Sequence, residues 1–107
     1  MENYNNMPKY YFAAASKKFF LEEEPIEEVL RERTNYYNSI NKPIDFWLLV
    51  DPDFLNSKEL SYVQLRIKKP SAVIISTNPV FINWIKLRVS YVLTGEIEKD
   101  VLQGIKV

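Results

Sequence analysis

The segment Ala72–Ile97, AVIISTNPVFINWIKLRVSYVLTGEI, reads as a strand, a sharp turn, a helix and a second strand. Ala72–Ser76 is short, apolar and rich in β-branched residues, the pattern of a strand covered on both faces. Asn78 offers a side-chain oxygen as a helix cap, and Pro79 suits the first helical position, where no amide donor is needed. On a helical wheel from Val80, Asn83 and Lys86 share one stripe, with Ser90 beside them if the helix extends that far. Phe81, Trp84 and Ile85 lie opposite. Arg88 projects among those three. An unpaired charge on an apolar side is costly, so Arg88 is expected to have a carboxylate partner or a solvated pocket. Tyr91–Ile97 reads as the exit strand, with Gly95 as a bulge.

Upstream, Met1–Pro8 reads as a disordered lead. Lys9–Ser16, KYYFAAAS, alternates as a strand, with Tyr10 and Phe12 on one face and Ala13 and Ala15 on the other, where a helix can approach closely. Phe19, Phe20 and Leu21 read as a lid over the core, or as an exposed docking patch. Glu22–Glu24 precede Pro25 at a helix start, which suits the positive end of the dipole; a metal or a basic partner is the other use for them. The helix runs from about Pro25 to Ile40. Ile26, Val29, Leu30, Tyr37 and Ile40 form its buried stripe, Arg33 interrupts that stripe, and Glu27 and Arg31 are spaced for an ion pair.

Asn41–Pro43 breaks the helix, and Ile44–Val50 is the next strand. Ile44, Phe46, Leu48 and Val50 share one face, while Asp45, Trp47 and Leu49 point to the other. Asp45 either satisfies a nearby amide or arginine, or belongs with an adjacent aromatic and Arg88 to a recognition surface. Phe46 and Trp47 point oppositely, so at most one of them centres such a patch. Asp51–Pro52–Asp53 reads as a capped turn, and Asn56 with Glu59 as a weakened capping box. A helix from about Ser57 to Ile67 buries Leu60, Val63 and Ile67 before Pro70 stops it, and Arg66, Lys68 and Lys69 form a solvated helix end. The tail from Glu98 reads as mobile.

The 107 residues suffice for one domain with a real core, expected over residues 9–97, with flexible termini at 1–8 and 98–107. Fourteen basic and fourteen acidic residues cancel to a net charge of +0, which counts against a nucleic-acid binder. No secretory leader and no run able to span a bilayer is evident. Cysteine and histidine are absent. Disulfides, thiolate nucleophiles and a Ser–His–Asp triad are thereby excluded, as is a di-iron site of the Glu-x-x-His kind. An all-oxygen magnesium or calcium site stays open but has no motif. The element order β-α-β-α-β-α-β by itself favours parallel crossovers, although four strands can also pair antiparallel under helical coverings.

Taken together, FLEEEPIEEVLRER, IDFW and STNPVFINWIKLRVSYVLTGEI resemble the family of the fifty-fourth conserved hypothetical chloroplast reading frame, whose plant members are named for low chlorophyll accumulation. The likeness covers Tyr10 to Ile97. It implies an α+β fold with a four-stranded, largely antiparallel sheet flanked by helices. It also implies a non-catalytic accessory or assembly role for the aerobic oxidative cyclase of chlorophyll biosynthesis. That enzyme converts magnesium-protoporphyrin IX monomethyl ester to protochlorophyllide. The implied partner is the membrane-associated di-iron subunit, which would hold the chain on the cytoplasmic or stromal side of the thylakoid, with no cofactor of its own. The expected contact surface is Asp45, Phe46 and Arg88, with Trp84 and Glu24 as secondary members and no catalytic residue. Two other readings stand beside it. One is a tetrapyrrole-binding chaperone or regulatory subunit of the same pathway, with Arg33 or Arg88 meeting a porphyrin carboxylate. The other is an RNA-binding domain using Tyr10, Tyr11 and Phe12.

Overall fold

The computed structural model describes residues 8–89 and 91–98. Along the chain come β1 (Lys9–Ser16), a π-helical turn (Phe19–Glu23), α1 (Ile26–Ser39) and β2 (Phe46–Val50). Two 3₁₀ turns (Asp53–Asn56 and Lys58–Leu60) lead into α2 (Ser61–Arg66), followed by β3 (Ser71–Ser76), α3 (Pro79–Arg88) and β4 (Leu93–Glu98). Except for Pro8 and Glu98, the expected lead and tail lie outside the described residues, as does Ser90. Glu98 belongs to β4, opposite Lys9, and not to a tail.

The strand order is β2-β3-β1-β4, and every neighbouring pair is antiparallel. The parallel pairing favoured by simple alternation is therefore absent from the sheet. Its logic survives one strand further out. β1 and β2 run in the same direction on either side of β3, and β3 and β4 do so on either side of β1. The connections through α1 and α3 each cross one intervening strand, which is the split βαβ arrangement.

β3 is an interior strand buried along its whole length, as its continuous apolar run requires. Pairing sets the two faces. Ala13 opposite Ile74 and Ala15 opposite Ala72 face α1 and α3, while Phe12 opposite Ile75 and Ala14 opposite Val73 face the 3₁₀ turns and α2. The alanines let α3 settle directly on β1, with Phe81, Ile82 and Ile85 buried against the sheet. Phe20 is buried and Phe19 and Leu21 pack beside it, so the π turn acts as a lid.

Several local expectations change. Gly95 is no bulge: it pairs in unbroken register with Phe12. A Cβ there would fall 2.6 Å from the Phe12 ring and against the Tyr62 hydroxyl, which donates to the Thr94 carbonyl. Asp51 does not cap the next turn. It adopts φ 45°, and its carboxylate accepts from the Ser71 amide at 2.7 Å and hydroxyl at 2.9 Å, joining β2 to β3. The single helix expected over 57–67 is a 3₁₀ turn followed by six residues of α-helix. The Gln64 amide donates to the Leu55 and Ser57 carbonyls and holds the turn apart from the helix. Ile40 is exposed, because α1 ends at Ser39 and Asn41 turns away with φ 56°. Among the described residues the ion pairs are Lys9–Glu96 and Lys42–Asp45, so Glu27 and Arg31 are not paired.

Candidate functional site

The site begins at the turn into α3. The Asn78 side chain accepts from the Val80 amide at 2.9 Å and Pro79 follows, so the helix starts where the cap chemistry places it. The Ser76 hydroxyl accepts from the Asn78 amide and donates to the Asp45 carbonyl at 2.8 Å, and the Thr77 amide donates to the same carbonyl. Asp45 thus ties the entry of β2 to the start of α3 through its backbone.

Its carboxylate ties the same point to α1. The Tyr37 phenol donates to Asp45 at 2.9 Å and accepts from Arg33 Nη2 at 2.9 Å, with Lys42 Nζ 3.8 Å from the carboxylate. Burial first, and then the hydrogen bond to Asp45, raises the Tyr37 pKa above its ordinary value, so the phenol remains a donor throughout the neutral range. Arg33 lies between rings: its guanidinium is 3.8 Å from the Phe81 centroid, 5.0 Å from Tyr37 and 5.6 Å from Phe46. A half-buried charge is tolerable here because aromatic faces and a carboxylate reached through Tyr37 surround it.

The α3 wheel is turned relative to expectation. Phe81, Ile82, Ile85 and Val89 face inward, which leaves Trp84 45% exposed and Arg88 exposed. Among the described residues Arg88 has no carboxylate partner. Its guanidinium lies over the Trp84 indole, 5.7 Å from the ring, so of the two expected solutions it takes the solvated one. Trp84 stacks at 18° on Phe81. Arg33, Phe81, Trp84 and Arg88 line a groove of about 330 Å³ between α1 and α3. Arg88 also borders a recess of about 100 Å³ next to it, lined by Glu24, Glu28 and Glu32.

The expected residues therefore divide. Arg88, Trp84 and Glu24 border the groove and its neighbouring recess. Asp45 is half-buried and lines neither of them; it is linked to the groove through Tyr37 and Arg33, not through Arg88. Phe46 is a correction: it is 4% exposed, with its ring against Tyr37 and Phe81, and supports the site from beneath instead of forming its surface. Trp47 lies on the opposite face of the sheet, edge-on to Tyr10. Arg33 was absent from the expected contact surface and was named only as a partner for a porphyrin carboxylate. Its signal was present all the same, in a charge that interrupts an apolar stripe. Among the described residues, no group of three or more carboxylates is arranged to hold a metal.

The chain matches the family model of the Ycf54 protein over residues 8–99. It belongs to the Ycf54 family. An uncharacterized ycf54 protein of Pyropia yezoensis is 52% identical over 95 residues, covering 89% of this chain and 86% of that one. The solved Ycf54 structure from Synechocystis sp. PCC6803 is 50% identical, covers 89% of each chain and superimposes with a TM-score of 0.84. The chloroplastic Arabidopsis thaliana YCF54 protein is 36% identical over 94% of this chain, which spans 47% of its length. The Ycf54 architecture is thus the α+β, four-stranded antiparallel one. Among the described residues no helix is long and apolar enough to cross a membrane.

Proposed function

We propose that this chain is a non-catalytic accessory factor of the aerobic oxidative cyclase of chlorophyll biosynthesis, acting by binding the membrane-associated di-iron subunit. Family membership supports the reading, with relatives in a red alga, a cyanobacterium and a chloroplast, all settings of chlorophyll synthesis. The reading puts the chain in the cyanobacterial cytoplasm or the chloroplast stroma, at the thylakoid through its partner.

The observation that carries the site is the Trp84–Arg88 pair beside the groove. Tryptophan and arginine dominate interface energetics where they can be desolvated together, and here both face solvent on a fixed helix. Trp84 and Arg88 make the contact and Glu24 borders it. Phe46, Asp45, Tyr37 and Arg33 hold the two helices in place beneath. The test is recovery of the di-iron subunit with tagged chain from pigment-synthesising cells. Arg88→Ala and Trp84→Ala are expected to reduce recovery by about tenfold or more, with circular dichroism unchanged. Undiminished recovery with both variants would remove this surface from the reading.

A further inference from the structure

A second cleft lies at the C-terminal end of β1 and shares no lining residue with the α1/α3 groove. It has about 640 Å³, roughly twice the groove's volume and within the range of small-molecule sites. Its floor is Ala15 and Ser16 at the end of β1, with Ile67, Val92 and Leu93 beside them. Three segments wall it: the π turn, the end of α2, and the approach to β4. These walls are fixed. The Phe19 amide donates to the Ser16 hydroxyl at 3.1 Å, and the Lys17 amide donates to the Pro70 carbonyl at 2.7 Å. Phe19 and Tyr91 meet edge to face, 6.1 Å apart, and Tyr91 is 80% exposed.

The polar lining is lopsided. Arg66 and Lys68 both line the cleft, and among the described residues Glu23 is the one acid that does. Among the described residues neither cation makes an ion pair or a side-chain hydrogen bond. Lys17, Lys18 and Lys69 are exposed on the adjoining turns. The chain as a whole is neutral, so this local excess is not a share of a general surplus. A solvated helix end accounts for Arg66, but α2 has only six residues, and Lys68 lies beyond it facing the same cavity.

We propose that this cleft binds a small amphipathic anion, an aromatic body bearing one acidic group. The body lies against Phe19 and Tyr91 on the aliphatic floor, and the anionic group meets Arg66 and Lys68. The proposal stands apart from the α1/α3 surface. The probe is anilinonaphthalene sulfonate, an aromatic anion whose fluorescence rises on transfer from water, titrated into the full chain. One molecule is expected to bind per chain. Arg66→Gln with Lys68→Gln is expected to weaken binding about tenfold, at unchanged circular dichroism. Tyr91→Ala is expected to weaken it as well, Trp84→Ala to leave it unchanged, and uncharged phenylnaphthylamine to bind more weakly than the anion. Unchanged affinity in the Arg66/Lys68 or the Tyr91 variant overturns the proposal, as does loss on Trp84→Ala or equal binding of the neutral probe.

Discussion

At the scale of single residues, the informative positions are those whose role is set by one neighbour. Gly95 is such a place, because Phe12 and Tyr62 occupy the space that any side chain would need. Gly95→Ala is expected to cost about 1–3 kcal/mol by overpacking, read from urea denaturation. Asp51 is another. The Ser71 amide and hydroxyl hold its carboxyl below the ordinary carboxylate range, since both donate to the ionised form. A lowered folded pKa means that the unfolded chain binds the proton more readily. The stabilisation is therefore present above about pH 4 and is lost as the pH falls through the folded value. Asp51→Asn should flatten the acid limb of stability against pH while leaving the neutral region level as before. Tyr37 is the third. Tyr37→Phe removes both the acceptor of Arg33 and the donor to Asp45. A loss of about 1–3 kcal/mol is expected, with little further loss when Asp45→Asn is added, because the two share one link.

The secondary-structure elements differ in how far local chemistry determines them. β1 was legible at both ends because alternation and turn residues agree there. β3 and the start of α3 were legible because a buried β-branched run meets an Asn-Pro cap. Asn78→Ala is accordingly expected to destabilise by about 1 kcal/mol, measured by thermal unfolding. The inward face of α3 was not legible. Val80 and Leu87 are apolar, yet 74% and 78% exposed, so apolar residues flank the narrow Asn83–Lys86 stripe and orient the wheel only weakly. Reading away from Asn83 and Lys86 places the buried face about 60° from the one that the sheet selects through Ile82 and Val89. That rotation exposes Trp84 and Arg88. Trp84 and Arg88 already belonged to the expected contact surface, but that both face solvent became visible only once a neighbouring layer decided which way the helix turned. Arg33's place in the contact region was hidden for the related reason that two of its three ring partners, Phe46 and Phe81, come from β2 and α3, far away in sequence. The 57–67 region misled because its break depends on the Gln64 side chain reaching back to the Leu55 and Ser57 carbonyls, which propensity does not register.

At the scale of the whole molecule, missing residue types matter as much as placed ones. With neither histidine nor cysteine, the chain has, apart from its amino terminus, no side chain whose unperturbed titration falls between the carboxylates and the tyrosines and lysines. The shifts present widen that gap: Asp51 moves down, while Tyr37, Tyr62 and Lys9 move up. Unfolding therefore exchanges almost no protons between about pH 6 and 9, and stability should be level across that window. Denaturant midpoints taken at steps through it test this directly, and a slope would mean a titrating group that these contacts do not supply. The same argument reaches the partner. If Trp84 and Arg88 make the contact, this side of the interface keeps its charge state throughout the window. Any pH dependence of capture in that range must then originate in the other protein. Measuring capture of the proposed di-iron partner against pH, with this chain held constant and any exposed histidines of that partner replaced one at a time, would assign it. A dependence that persisted after all of those replacements would contradict a contact made by this side without proton exchange.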